Sequence, residues 1–145
     1  MNFKTTKFNQ VLVSGLGGSG IGATIVQEYV FDKITVPFVV NKNYFVPKTV
    51  NSDTLFIANS YSGNTEETLM AVEEARKRKA TIVCVTSGGA LAEFATKYKY
   101  PLILVSGGNP PRASLAYSLV QILFILSKTK LINSSFLKEL ESGIV

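Results

Sequence analysis

The sequence predicts an α/β fold, namely a three-layer α/β/α sandwich that is doubly wound around a five-stranded parallel sheet. Two observations support this fold class. Short, continuously apolar segments alternate with helical segments along the chain, and such strands are typical of a parallel sheet that helices cover on both faces. Because crossovers between parallel strands are right-handed, this alternation places helices on both sides of one sheet.

The pattern defines five strands and five helices. Each predicted strand is a short run rich in Val, Ile, Leu and Phe: Val11–Ser14, Val36–Val40, Thr54–Ala58, Thr81–Thr86 and Leu102–Val105. The predicted helices are Ile21–Phe31, Thr65–Lys79, Ala90–Lys97, Arg112–Ser127 and Ser135–Leu140. With 145 residues, 46% of them hydrophobic, the chain is expected to form one domain, 1–145, with ample core.

The second helix carries the clearest helical signals. Within residues 73–78, two glutamates lie four residues before a lysine and an arginine, a spacing that stabilises helices. The basic residues 76–79 fall at its end, where cations complement the helix dipole. At its start, Asn64 is predicted to be the N-cap, and Glu67 to complete a capping box.

The composition excludes several kinds of site. The chain has no histidine and one cysteine, Cys84, which lies in an apolar strand and is predicted to fill the core. One cysteine forms neither a disulfide framework nor a metal site, and histidine is the commonest metal ligand. We therefore expect no metal and no cofactor.

Partners and location follow from charge and hydropathy. The net charge of +5 suits an acidic ligand and also simple solubility. The basic residues 76–79 are predicted to be a solvated helix end, so no nucleic-acid partner is expected. The apolar helix Ala113–Leu126 is shorter than the ~20 residues of a membrane span, and the N-terminus lacks a signal-like apolar segment. A cytoplasmic protein without membrane contact is expected.

Four loops are predicted to meet at one edge of the sheet. They are Gly15–Gly20, Ser60–Thr65, Ser87–Gly89 and Ser106–Arg112, and all are rich in Gly, Ser, Thr or Asn. Ligands of open α/β sheets bind beyond the carboxyl ends of the strands. A pocket is therefore expected where these four loops come together.

The most specific loop is S-Y-S-G-N-T, Ser60–Thr65. It follows an apolar strand and opens a helix, where unpaired N–H groups and the helix dipole favour an anion. The hydroxyls of Ser60, Ser62 and Thr65 are spaced so that one turn can direct all three at a small anion. Capping needs only one such side chain, so a phosphate site is predicted, although the two glutamates that follow would repel a phosphate.

The glycine-rich turn G-L-G-G-S-G has an alternative interpretation. Gly15, Gly17 and Gly20 match the dinucleotide fingerprint G-x-G-x-x-G, which is a weak signal alone. The acid expected after the second strand is missing from Val39–Asn43, where Lys42 would tolerate the 2′-phosphate of NADP. A dinucleotide does not account for the hydroxyls after the third strand. The glycines can also be read as a turn that lets a helix pack closely. This structural role is compatible with a phosphate ligand and with a dinucleotide.

The segment N-P-P-R contains the remaining candidate. Arg112 is the only charged residue between Leu102 and Ser127. An arginine at the start of an apolar helix is costly to bury unless it faces a carboxylate, a phosphate or a developing negative charge. The alternative is an arginine that reaches solvent or pairs with a nearby acid.

Together these motifs resemble the sugar isomerase (SIS) domain family and, within it, the first half of the bifunctional phosphoglucose/phosphomannose isomerases. The motifs are G-L-G-G-S-G, S-Y-S-G-N-T-E-E-T, V-T-S-G-G-A-L-A-E and P-P-R-A-S-L-A-Y. The resemblance implies flavodoxin-like winding, domains that pair as a homodimer or with a second SIS domain, and a hexose 6-phosphate ligand converted between aldose and ketose. The apolar surface of the helix Ala113–Leu126 also hints at a dimer.

The resemblance also implies roles for individual residues. Phosphate or sugar contacts are implied for Ser60, Ser62, Thr65, Gly17, Gly18, Ser19 and Ser87, and stabilisation of an enediolate for Arg112. In the family, the general base, a histidine and a lysine come from a second domain, so this chain is expected to be a fragment, a separate half or a binding-only protein. Glu66, Glu67 and Glu93 are the acids nearest the predicted pocket, but capping and surface roles explain them more simply.

Overall fold

One five-stranded, all-parallel sheet forms the centre of the computed structural model, which describes the backbone of residues 7–143 and the side chains of 7–110 and 114–143. The strands are β1 Gln10–Ser14, β2 Phe38–Asn41, β3 Thr54–Asn59, β4 Thr81–Thr86 and β5 Leu102–Leu104, in the order β2-β1-β3-β4-β5. The helices are α1 Gly17–Val30, α2 Glu66–Lys77, α3 Gly89–Tyr98, α4 Pro111–Lys128 and α5 Ser135–Gly143. The predicted fold class is confirmed.

The sheet separates two apolar cores. Alternate strand residues such as Val11, Ile57 and Val83 pack against α1, α4 and α5 on one face. Their neighbours, such as Phe56 and Ile82, pack against α2 and α3 on the other face. Side chains of successive strand residues point to opposite faces, so a strand buried on both faces is apolar throughout. This is the physical basis of the uninterrupted apolar runs.

Helix α1 begins four residues earlier than the sequence predicted, at Gly17 rather than Ile21. The N–H of Gly20 donates to the carbonyl oxygen of Leu16 at 3.1 Å, so most of the glycine-rich turn is the first turn of the helix. Close approach explains two of its glycines. A Cβ at Gly15 would lie 2.9 Å from the carbonyl oxygen of Asn59, and one at Gly20 would lie 2.8 Å from that of Gly15.

Other element boundaries differ by smaller amounts. β2 begins at Phe38 rather than Val36, because Pro37 has no N–H to donate and contributes only its carbonyl oxygen, which accepts from Val11 at 2.9 Å. α2 ends at Lys77 rather than Lys79. Lys79 adopts a φ of 63°, a left-handed conformation that ends the helix before β4.

Helices α1 and α4 pack closely on one face of the sheet. A Cβ at Gly22 would lie 3.3 Å from the carbonyl oxygen of Leu115, so the glycine lets the two backbones approach. α4 contributes fully buried residues, among them Ile122 and Ile125, to the same core. No helix within the described residues 7–143 is long and apolar enough to cross a membrane.

Cys84 lies fully buried in β4, as predicted for a core residue. Its burial raises the pKa of the thiol to about 12. Because the thiolate is the reactive form, we expect the native chain to react with a disulfide reagent at pH 8 about 1,000-fold more slowly than the unfolded chain. Spectrophotometric labelling with and without denaturant measures both rates. Similar rates in the two states would contradict this burial.

Candidate functional site

Four loops meet beyond the carboxyl ends of the strands, a side of the sheet that we call its carboxyl edge. They meet there because the strands are parallel and in register. Ser14 at the end of β1 pairs with Ala58 of β3, and Asn59 pairs with Val85 of β4. The chain therefore leaves β1, β3 and β4 at almost the same level. The Nδ2 atom of Asn59 then donates to the carbonyl oxygen of Ser19 at 3.1 Å and joins the first two loops.

The loops after β3 and β4 are interlocked through their backbones. Gly63 has a φ of 73°, and a Cβ at this position would overlap the carbonyl group of Gly88. A Cβ at Gly89, whose φ is 69°, would lie 2.5 Å from the carbonyl oxygen of Ser62. The N–H of Leu91 donates to the Gly63 carbonyl at 2.9 Å. Glycines here permit an approach that no other residue allows.

Tyr61 connects the loop after β3 to the three other loops. Its N–H donates to the Ser19 Oγ at 3.3 Å, and its carbonyl oxygen accepts from the N–H of Ser87 at 3.0 Å and from the Ser87 Oγ at 2.7 Å. Its hydroxyl donates to the carbonyl oxygen of Ser106 at 2.9 Å and accepts from the N–H of Asn109 at 3.1 Å. This role is not apparent from the sequence, because the contacts span up to 48 residues.

Two of the three predicted phosphate hydroxyls lie together. Ser60, which is 2% exposed, places its Oγ 2.9 Å from the Thr65 Oγ1 and accepts from the N–H of Gly63 at 3.2 Å. Ser62 is exposed on the same turn, where its Oγ accepts from the N–H of Asn64 at 3.2 Å. The structure thus pairs Ser60 with Thr65 and leaves Ser62 on the solvent side.

The predicted capping box is wrong. α2 begins at Glu66 with Thr65 as its N-cap residue, and no side chain of the described residues caps it. The Asn64 Oδ1 accepts from the N–H of Ala90 at 3.0 Å, so this side chain caps α3 instead. The contact between the two loops directs Asn64 towards α3. The first N–H groups of α2, which have no partner within their own helix, therefore lie beside the hydroxyls of the turn.

The first turn of α1 supplies a second helix N-terminus at this edge. It contains Gly17, Gly18 and Ser19, and neither an acidic residue nor a side-chain cap occurs there among the described residues. Gly17 is exposed with a φ of 53°. Ser19 is only 5% exposed, and its Oγ is the atom that accepts from Tyr61. The first turn of α1 thus lies next to the turn at residues 60–65.

Lys42 brings a positive charge to the same edge. A Cβ at Gly20 would lie 3.4 Å from the Lys42 Cε atom, so this exposed side chain reaches across to α1. Among the described residues, its ammonium forms neither an ion pair nor a hydrogen bond. Two residues further along the chain, the carboxylate of Glu67 together with burial raises the pKa of Tyr44. The sequence had linked Lys42 only to a dinucleotide.

The side chain of Arg112 is not among those that the structure describes. Its backbone is the second residue of α4, so the helix does begin where the loop after β5 ends. Its role in stabilising an enediolate remains a prediction from the resemblance.

An apolar cavity of about 200 Å³ lies elsewhere, between α1, α4 and α5. Its lining includes Ile25, Leu123 and Phe136, and its polar groups include the Tyr29 hydroxyl, which donates to the Glu139 carboxylate at 2.8 Å. A carboxylate in an apolar cavity repels a phosphate. The hydroxyls and helix N-termini at the carboxyl edge of the sheet suit an anion better than this cavity does.

Comparisons with known proteins show the family to which the chain belongs. The family model of the SIS domain matches residues 5–125. A relative from Caldicellulosiruptor bescii, named bifunctional phosphoglucose/phosphomannose isomerase, is 44% identical over 132 residues, which are 91% of this chain and 39% of the relative. A D-glucosamine-6-phosphate 4-epimerase from Sulfolobus acidocaldarius is 35% identical over 116 residues, which are 79% of this chain and 36% of that protein. The chain thus spans well under half the length of these relatives.

Among solved structures, a tagatose-6-phosphate ketose/aldose isomerase from Escherichia coli shares the fold. Its TM-score is 0.58 at 19% identity, and the match covers 90% of this chain and 40% of that chain. At this identity the likeness concerns the architecture alone.

The close contact between Gly63 and Gly88 leads to a prediction about stability. Gly63→Ala would overlap the Gly88 carbonyl and strain a left-handed backbone, so we expect it to lower the free energy of unfolding by about 3 kcal/mol. Urea denaturation followed by circular dichroism measures the change. Gly107→Ala is the matched control, because its Cβ would lie 3.7 Å from Ser87, and we expect a change within about 0.5 kcal/mol. Equal effects would contradict the interlock.

Proposed function

Because the chain belongs to the SIS domain family, we propose that it binds a hexose 6-phosphate as part of an aldose–ketose phosphosugar isomerase. The observation that carries this proposal is the turn at residues 60–65, which gathers hydroxyls at the start of a helix that no described side chain caps. N–H groups and hydroxyls at a helix N-terminus are the donors that a phosphate accepts from.

The phosphate is held, in this proposal, by Ser60, Ser62 and Thr65 together with the first N–H groups of α2. The paired hydroxyls of Ser60 and Thr65 can rotate to donate to a phosphate oxygen, since a hydroxyl both donates and accepts. Ser62 is exposed beside them and contributes a third donor. Lys42, whose side chain reaches Gly20 of α1, adds a positive charge at this edge, whereas Glu66 and Glu67 would oppose an anion.

The sugar lies, in this proposal, between the phosphate turn and the first turn of α1. Gly17 and Gly18 allow close approach of a ligand to the backbone. Ser19 and Ser87 already join this surface to the turn through their contacts with Tyr61. The name of the relative from Caldicellulosiruptor bescii supports glucose 6-phosphate or mannose 6-phosphate as the aldose and fructose 6-phosphate as the ketose.

The reaction we propose moves a proton between C1 and C2 of the open-chain sugar through an enediolate. It needs a base for the carbon-bound proton, an acid for ring opening and a cation near the developing oxyanion. Arg112 is our candidate for the cation. The chain contains no histidine, and the resemblance to the family implies that the general base also comes from a second SIS domain. We therefore propose that such a domain, in a longer chain or a partner, supplies the base and the acid. Charged sugar phosphates are intracellular metabolites, which supports a cytoplasmic location.

A second candidate function is binding of a sugar phosphate without turnover. The absence of histidine from the whole sequence favours it. The epimerase from Sulfolobus acidocaldarius also suggests that domains of this kind serve more than one reaction on sugar phosphates. The two candidates share the phosphate turn and differ only in what completes the site.

The phosphate turn can be tested through Ser62. We expect Ser62→Ala to weaken binding of fructose 6-phosphate about tenfold, because one hydrogen bond to a charged group is lost. Isothermal titration calorimetry measures the affinity. Ser52→Ala is the matched control, since Ser52 is also exposed but precedes β3 at the opposite edge of the sheet. Unchanged binding in Ser62→Ala would refute the assignment of the turn.

Turnover distinguishes the two candidate functions. We expect this chain alone to bind fructose 6-phosphate without producing glucose 6-phosphate, and to gain activity when a second SIS domain is supplied. A dehydrogenase-coupled assay with NADP measures the product. Activity of the chain alone would show that its own residues provide the base. Binding without activity in the two-domain form would favour the binding module.

A further inference from the structure

The N–H of Val105 donates to the carbonyl oxygen of Thr86 at 3.0 Å, and beyond this bond one side chain holds the loop at residues 105–110 to the loop after β3. Gly107 and Gly108 are exposed, and Gly108 has a φ of 78°. Among the described residues, the hydrogen bonds that join Ser106 and Asn109 to the loop after β3 both end on the Tyr61 hydroxyl. The other bond within the loop is local, from the Asn109 Nδ2 to the Ser106 carbonyl at 3.4 Å.

Tyr61 itself is held firmly at its backbone. Its N–H and its carbonyl oxygen are bonded to Ser19 and Ser87, and it lies inside the turn that we assign to the phosphate. Its side chain then extends from that turn to the loop that leads into α4. One residue therefore joins the phosphate turn to the segment before Pro111, the first residue of α4.

We infer that Tyr61 is a positioning residue that couples the phosphate turn to the loop at residues 105–110 and so sets where α4 begins beside the sugar. This inference rests on the proposed function. A ligand that contacts only the turn, such as inorganic phosphate, does not depend on the position of this loop. A sugar phosphate, whose sugar we place beside the first turn of α1 and within reach of Arg112 at the start of α4, does depend on it. The two ligands therefore separate coupling from simple stability.

Tyr61→Phe removes the hydroxyl and keeps the ring and the backbone contacts. We expect the affinity for fructose 6-phosphate to fall about tenfold, as for one or two lost hydrogen bonds, with the affinity for inorganic phosphate unchanged. Titrations followed by ¹⁵N NMR measure both affinities on the full chain. Without ligand, hydrogen exchange at the Asn109 amide should also become about tenfold faster, because its acceptor is gone. Circular dichroism checks that the variant is folded.

Two further variants sharpen the result. Tyr117→Phe is the matched control, because Tyr117 is exposed on α4 and its hydroxyl makes no hydrogen bond with another described residue; it should match the wild type throughout. Gly108→Ala strains the loop without touching Tyr61, since no atom lies within 4 Å of its Cβ position. It should reproduce the selective loss for the sugar phosphate.

The outcomes separate the inference from the proposed function. If Tyr61→Phe binds fructose 6-phosphate as well as the wild type, or loses both ligands equally, the coupling is wrong while the phosphate site stands. If the wild type binds neither ligand, the proposed function is wrong and the inference falls with it.

Discussion

The parallel register of β1, β3 and β4 is the constraint on which the rest of the site depends. Because Ser14, Ala58 and Asn59 align with their partners across the sheet, the loops that follow these strands begin at one level and touch. The contact between Gly63 and the carbonyl group of Gly88 is possible only because residue 63 has no side chain. The glycines are therefore needed for the contact between loops, and the hydroxyls are carried on the surface that this contact creates.

Local sequence patterns predicted what depends on local physics. The strands were recognisable because burial on both faces demands uninterrupted apolar residues, and Cys84 was recognisable as core for the same reason. The loops at the carboxyl edge followed from the topology alone. The start of α1 was missed, because glycine suggests a turn in sequence, although here the glycines form the first helical turn.

Contacts between distant segments could not be predicted in this way. Asn64 fits a capping box for α2, yet the Asn64 side chain accepts from the N–H of Ala90 and caps α3, because the loops after β3 and β4 are in contact. Tyr61 stands among small hydroxylated residues, and nothing in its immediate sequence shows that its hydroxyl reaches Ser106 and Asn109. Lys42 likewise meets Gly20 only because β2 pairs beside β1. The contacts of these three residues depend on the three-dimensional arrangement of the loops and not on local sequence.

The central claim is that the turn at residues 60–65 holds the phosphate of a sugar phosphate. A crystal structure of this chain with fructose 6-phosphate tests it most directly. We expect phosphate density at the N-terminus of α2, with its oxygens within hydrogen-bonding distance, about 3 Å, of the hydroxyls of Ser60, Ser62 and Thr65. Phosphate density on the first turn of α1 beneath Lys42, with the turn at residues 60–65 making no contact, would contradict it.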